Sequence, residues 1–434
     1  MFKHYLSIGI IIFLLLSLGA CNKASYQSYN NWEEKSLYSG PNVKVRLFSK
    51  EKFSKLKLKL VNPDTQIWDA KGKLVSWPAK QRTVYIAKKG LNIILTKKIA
   101  GKKFKKVATC KKVFFRSEGK HSINDFEIML PRIKNYKKYA GCELAINIKH
   151  QQINIINKLP LELYLARVLA IEMEPTHFTL EAMKAQAVVA RTWALKNMRR
   201  HKKHGYNFCD SSHCQVYPGE DFVSKRCEQA IKMTIGQVIT YKGHLAEAFY
   251  HSTCGGNTVF IEDVWDTPSL NYLIRTEDVW KPGNLTYCAA SPFANWQIEL
   301  SLYEVEKILK QYKIIKANSK LKDIKLDFMN KSGQNKRLLL VLDKQKIKIA
   351  AMKFRNIINK KMVKNKILSN FFQIEVIAGK ILIKGRGLGH GVGMCQWGAR
   401  GMAQHGFQYR EIIEHYFKGT SIGIQYGSLR KKKY

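Results

Sequence analysis

The chain has 434 residues, 45% of them hydrophobic, which excludes a disordered polypeptide and leaves enough apolar surface for roughly two or three packed units. Lys and Arg number 75 against 32 acidic residues, a formal charge of +43. In a cytoplasmic protein that excess points to nucleic acid. In an exported one it points to anionic lipid or wall polymer, or to lysines spread over a solvated surface, so the destination of the chain has to be read first.

The N-terminus supplies the destination. Lys3 lies in a short basic start, an unbroken apolar run covers Ile8 to Leu16, and Leu18, Gly19 and Ala20 precede Cys21. A basic start, an apolar stretch too short to span a bilayer comfortably, and small residues before a cut site describe a secretory signal. Leu-Gly-Ala-Cys resembles the lipobox of bacterial lipoproteins, which implies lipidation at Cys21; the alternative is a signal anchor that keeps its helix. Asn22 in place of Asp favours an outer-membrane address. Export argues against a nucleic-acid partner. It also places Cys110, Cys142, Cys209, Cys214, Cys227, Cys254, Cys288 and Cys395 in an oxidising compartment, where pairs can form with a connectivity the sequence does not give.

The reading divides the chain into a signal peptide (1–20), a polar tether (21–42), a β-rich domain (43–156), a core with helices and a Cys/His motif (157–290), a strand-rich region (291–384) and a glycine-rich turn with a C-terminal helix (385–434). Val43-Lys-Val-Arg-Leu-Phe48, Lys55-Leu-Lys-Leu-Lys-Leu60 and Thr83-Val-Tyr-Ile-Ala87 alternate apolar with basic or polar residues, as half-exposed antiparallel strands do. Their lysines belong on the solvent face, where they discourage edge pairing. From Leu159 the period changes: Leu161, Tyr164, Leu165, Val168 and Leu169 recur at helical spacing, with Pro160 in the first turn. A second helix is predicted from about Leu180 to Arg200, capped by Thr179, with Glu181 at its positive end and Arg199-Arg-His-Lys-Lys-His204 at its negative end before Gly205 stops it. Strands are predicted at Gln237–Tyr241 and Ala246–Tyr250, and helices at Leu302–Tyr312 and Tyr409–Phe417. The fold class is α+β.

Glu172 is the leading candidate for chemistry. At about 100° per residue it falls about 20° from Leu161 around the helix, so a helix that persists this far carries the carboxylate on the Leu161-Leu165-Val168 stripe. Burial there disfavours the charged form and raises the pKa, as a general acid requires. If the helix ends earlier, the carboxylate is merely exposed. Cys209, His213 and Cys214 form a second constellation, in Cys-Asp-Ser-Ser-His-Cys-Gln, and offer three ligands to a tetrahedral Zn²⁺ with a fourth, His204 or His201, from nearby. A Cys209–Cys214 disulfide is the competing reading.

Four blocks carry a specific resemblance: Leu165-Ala-Arg-Val-Leu-Ala-Ile-Glu-Met173 with Leu180-Glu-Ala-Met-Lys-Ala-Gln-Ala-Val-Val-Ala-Arg-Thr-Trp-Ala194; Cys209 to Tyr217; Ser252-Thr-Cys-Gly-Gly-Asn-Thr258; and Gly385-Arg-Gly-Leu-Gly-His-Gly-Val-Gly-Met-Cys-Gln-Trp-Gly-Ala399. In that order they resemble the stage II sporulation protein D and amidase-enhancer family. The resemblance implies a lytic transglycosylase of peptidoglycan, with Glu172 as its acid and base, that cuts peptide-stripped strands between N-acetylmuramic acid and N-acetylglucosamine to a 1,6-anhydro product. It also implies zinc, in a structural role, near the Cys/His motif of some members. The alternative reading is a non-catalytic wall-binding enhancer of a cell-wall amidase. Gln215, Tyr217, His251, His390, Gln396 and Trp397 are of types that could line a glycan groove, or else pack or satisfy turns. No Gly-Lys-Ser or Gly-Lys-Thr follows the glycines of 385–393, which excludes a phosphate loop.

Overall fold

The computed structural model describes residues 40–78, 80–99, 103–117, 123–132, 135–174, 176–280 and 285–424. Cys21 and the signal segment lie outside them. Among the described residues no helix is long and apolar enough to cross a membrane. The chain folds as two compact units, one of residues 40–177 and 190–238, the other of 178–189 and 239–422.

The first unit begins with eleven strands: β1 Asn42–Leu47, β2 Lys55–Leu60, β3 Gln66–Asp69, β4 Thr83–Lys89, β5 Asn92–Lys98, β6 Phe104–Cys110, β7 Lys112–Arg116, β8 Asn124–Met129, β9 Lys137–Gly141, β10 Glu143–Lys149 and β11 Gln152–Pro160. They form two six-stranded sheets, ordered β6-β5-β4-β2-β8-β9 and, with β12 (Phe208–Cys209), β12-β1-β11-β10-β7-β3. The period-two pattern is obeyed closely. Leu56, Leu58 and Leu60 of β2 are buried while Lys55, Lys57 and Lys59 face solvent. β1 pairs antiparallel with β11, Val43 opposite Leu159, and β12 adds parallel to its other edge.

β11 runs directly into helix α1, Leu161–Glu172, with Pro160 setting the turn at φ −58°. The expected apolar stripe is instead a helix buried all round, every residue from Leu161 to Ala170 included. Its charged members are paired. Glu162 meets Arg191, and Arg167 meets Glu220, each through two guanidinium nitrogens. α1 packs against β1 and β11. Helix α2, Leu180–Lys196, has Thr179 Oγ1 accepting from the Ala182 amide at 3.4 Å, and ends earlier than Arg200. A short 3₁₀ turn, Lys202–His204, follows, and Gly205 closes it at φ +84°. Helix α3, Lys225–Met233, is capped by Ser224.

β13 (Gln237–Tyr241) pairs antiparallel with β14 (His244–Leu245). In the second unit, β15 (Tyr250–His251) pairs in parallel with β24 (Met394–Cys395), and β16 (Val279–Trp280) pairs antiparallel with β17 (Leu285–Thr286); the longer strand expected over 246–250 is mostly irregular. β18 (Asn295–Ser301), β23 (Lys380–Arg386) and β22 (Phe372–Ile377) form one sheet. β19 (Leu321–Met329), β20 (Asn335–Leu342) and β21 (Lys346–Ala350) form another. Helices Leu302–Gln311 and Ala351–Lys361 cover a core that includes Val305, Leu309, Leu338, Leu340, Phe354 and Ile358. The second of these helices was not expected, although Phe354, Ile357 and Ile358 have helical spacing. Nor was Gln396–Gln404, which precedes the expected helix Tyr409–Tyr416.

Candidate functional site

Four local arrangements hold the residues singled out above that lie among the described ones. In the first unit α1 does persist to Glu172, its last residue, and the Met173 amide closes the helix onto the Leu169 carbonyl at 2.9 Å. Glu172 is half-buried, less enclosed than the stripe predicts, because burial along α1 is complete only to Ala170.

The Cys/His motif lies in the same unit. β12 ends at Cys209, and Asp210 anchors the following turn by accepting from the amides of Phe48 and Ser49, at 2.5 and 3.1 Å, and from the Ser49 hydroxyl. Cys209 Sγ and Cys214 Sγ are 3.5 Å apart, and His213 Nδ1 lies 3.7 and 3.6 Å from them. The fourth donor is His201, whose Nε2 is 3.3 Å from Cys214 Sγ, and the four ligand atoms all lie within 4.8 Å of one another. His204 is corrected out of this set. The 3₁₀ turn carries it outward, where Lys149 Nζ lies 3.3 Å from its Nδ1. Edges of this size match a tetrahedron drawn with metal–sulfur bonds of about 2.3 Å and metal–nitrogen bonds of about 2.0–2.1 Å. Hydrogen bonding from Cys214 pulls the Cys209 thiol down to about 3 against its burial, and Ser211 and His213 add to the effect.

Gln215 and Tyr217, expected at a glycan groove, are core residues instead. Tyr164 donates its hydroxyl proton to Gln215 Oε1 at 3.1 Å, and Gln215 donates to the Ala190 carbonyl. Tyr217 stacks on Tyr164 and Tyr139, takes a hydrogen bond from Asn157, and has its phenol pushed well up by burial.

In the second unit His251, His390, Gln396 and Trp397 do come together around the β15–β24 pair. His251 and His390 rings are 5.5 Å apart, and His390 also packs on Trp265. Burial holds both imidazoles neutral, at about 4 and about 3. Trp397 donates its amide to Ser252 O, packs on Phe178 and lies under Arg400, while Gln396 is buried. Two glycines explain how the loop reaches this position. A Cβ at Gly387 (φ +76°) would fall 2.6 Å from the Thr253 carbonyl, and one at Gly389 (φ +118°) 2.9 Å from His251 Cβ.

Two further features join residues that no single motif links. Asp278 is fully buried among Cys254, Cys288 and Cys395, which the sequence leaves far apart. A cavity of about 840 Å³ in the same unit is lined by Trp280, Tyr287 and Phe407 with Arg275, Glu277 and Glu411. None of the residues expected at a groove lines it.

Comparison with known proteins gives the chain its family. A family model described as stage II sporulation protein matches residues 149–241. An uncharacterized protein of Brachyspira hyodysenteriae is 31% identical over 296 residues, which cover 68% of this chain and 74% of that protein. The chain belongs to the stage II sporulation protein D family. A stage II sporulation protein D of Bacillus amyloliquefaciens is 28% identical over 289 residues, or 62% of this chain and 75% of that one. The amidase enhancer of Bacillus subtilis is 29% identical over 285 residues, 57% of this chain but 39% of its own length. The matched segment 149–241 holds α1 with Glu172, all of α2 and the four Cys/His donors.

Proposed function

We propose that this member of the family is a lytic transglycosylase of peptidoglycan glycan strands, with Glu172 as its acid and base. The observation that carries the reading is the position of Glu172. It is half-buried and fixed at the end of a fully packed helix, in the family's Glu-Met pair. Its carboxyl would protonate the glycosidic oxygen as the bond from muramic C1 breaks. The resulting carboxylate would then accept the C6 hydroxyl proton as that oxygen closes on C1. One group returns to its starting state and no water is consumed, unlike the paired-carboxylate glycosidases. The test is incubation with peptide-free glycan strands and identification of the products by mass. Ends about 18 Da lighter than hydrolysed ends support a lyase, because one water has been kept out of the reaction. Ordinary reducing ends would mean a hydrolase.

The second reading is an enhancer that binds the wall and stimulates an amidase without cutting. It is favoured by the similarity to the protein named amidase enhancer. Intact glycan combined with faster cleavage by an added amidase would select it.

His201, Cys209, His213 and Cys214 fit Zn²⁺ in both donor chemistry and spacing, in a closed and therefore structural site. Zinc there would tie the turn after β12 to the end of α2. We expect Cys209→Ser/Cys214→Ser to lose about one zinc per chain, the stoichiometry of one four-ligand site. Equal zinc in variant and parent, or a Cys209–Cys214 crosslink in the intact mass, would refute it. Lipidation at Cys21 would hold the enzyme at the periplasmic face of a membrane, the outer one favoured. Cys21→Ala should then abolish fatty-acid labelling and release the protein from membranes, and unchanged labelling would rule the anchor out.

A further inference from the structure

We propose that Cys254, Cys288, Cys395 and Asp278 form a second metal site, fully buried in the 239–422 unit, that holds one zinc-class divalent ion in a structural role. The four side chains are between 0% and 1% exposed, and their ligand atoms lie within 4.8 Å of one another. Cys254 Sγ is 3.7 Å from Cys288 Sγ and 3.0 Å from Asp278 Oδ2. Two thiolates on one tetrahedral ion with bonds of about 2.3 Å would stand about 3.8 Å apart, so the pair needs almost no movement. Three sulfur donors select a soft or borderline ion over Mg²⁺ or Ca²⁺.

The surroundings are built for thiolates as well as for thiols. The Cys254 amide donates to Cys395 Sγ at 3.3 Å, the Gly256 amide to Cys254 Sγ at 3.3 Å, and the Gly398 amide to Cys395 Sγ at 3.2 Å. The last of these makes Cys395 the N-cap of the helix Gln396–Gln404, whose positive end favours an anionic sulfur. The Asp278 carboxylate is oriented by a second shell. Tyr416 donates its hydroxyl proton to Oδ1, which leaves Oδ2 turned toward Cys254. Gly398 keeps that space clear, since a Cβ there would lie 2.1 Å from the Tyr416 hydroxyl and 2.5 Å from Asp278 Oδ2. Arg386 binds the Gly255 carbonyl and Asn257 Oδ1, which places a cation beside a ligand set that carries more negative charge than the ion neutralises. Each thiol would release its proton to solvent as it ligates. The ligands come from four separate segments, so the ion would clamp the glycine-rich loop and the β15–β24 pair that present His251, Gln396 and Trp397. A disulfide between Cys254 and Cys288 could not do this, because it leaves Cys395 and Asp278 outside the bond.

The test uses the full chain purified in detergent without chelators, with bound metal measured per folded chain and free thiols counted by alkylation and mass. Cys209→Ser/Cys214→Ser, which disarms the Cys/His motif, should still carry about one zinc per chain, the content of a single four-ligand site. Adding Cys395→Ser should remove it, and serine leaves an oxygen to cap the Gly398 amide so that the helix start survives. As a check that needs no variant, the wild-type chain loaded with Co²⁺ should show thiolate-to-metal absorption from three sulfurs beyond the two of the Cys/His motif. A folded Cys209→Ser/Cys214→Ser chain without metal, a metal content unmoved by Cys395→Ser, cobalt absorption from two sulfurs alone, or a Cys254–Cys288 crosslink in the purified protein would each overturn the assignment.

Discussion

Glu172→Gln should abolish cleavage of peptide-free glycan while leaving the fold and glycan binding intact. Glutamine keeps the shape and the hydrogen-bonding reach of the side chain but has no proton to give to the leaving oxygen and cannot take one from the C6 hydroxyl. General acid–base catalysis typically contributes about 10²- to 10⁴-fold, and here one group would serve both half-reactions, so the loss should lie at the upper end of that range. The rate should fall without a matching rise in KM, since the interaction removed is one made as charge develops rather than on binding. Structure is not at risk in the same way. α1 is held by the buried run Leu161–Ala170 and by its two ion pairs, all of which precede Glu172. Circular dichroism and a glycan pull-down on the same sample therefore separate a chemical effect from a folding one. Full activity in the variant would exclude Glu172 from the chemistry. Wild-type protein that never cuts, but accelerates an amidase, would select the enhancer reading.

Arg191→Met should be among the most destabilising single changes in the chain. Arg191 Nε and Nη2 donate to the two Glu162 oxygens at 2.9 and 2.7 Å, both side chains are 0% exposed, and Nη1 also reaches the Gln237 carbonyl. Removing the cation strands a buried carboxylate at the first turn of α1, and breaking such a pair typically costs about 3–5 kcal/mol. Removing both charges should cost less, so Glu162→Leu/Arg191→Met is expected to recover much of the loss. The measurement is the shift of the chemical-unfolding midpoint for the two single changes and the double change. Additive losses would show that the two side chains act independently, and an unmoved midpoint in Arg191→Met would show that water reaches the pair. Because α1 ends in Glu172, the same destabilisation should also lower activity in proportion to the folded fraction.

Much of this molecule was legible as a string. Alternation in Val43–Leu47 and Lys55–Leu60 gave strands whose lysines do face solvent, since a strand side chain can point only one of two ways. Helical period and a proline placed α1, and Thr179 marked the start of α2. The glycine-rich turn at 385–393 was legible as a turn, but that Gly387 and Gly389 lie against Thr253 and His251 was not. Less was legible where the signal was ambiguous. Ala351–Lys361 follows the alternating Lys346–Ala350, so its helical spacing was masked by the strand before it. Gln396–Gln404 carries glycines that weaken a helix, and it starts on a cysteine cap instead of a familiar one.

The sequence by itself determined the class of fold and the family, because periodicity and short motifs are local properties of a chain. What it left undecided are properties of space. Gln215 and Tyr217 stand in a block that the family shares yet pack into the core, since a motif does not state which way a side chain turns once neighbouring strands and helices enclose it. His201 displaces His204 from the Cys/His set because a single 3₁₀ turn swings the later ring outward. Glu162 and Arg191 find each other only when α1 and α2 are laid together. Cys254, Asp278, Cys288 and Cys395, spread over more than a hundred residues of chain, become one ligand set only when the fold brings their segments within a few ångströms, at an entropic cost that buried packing offsets.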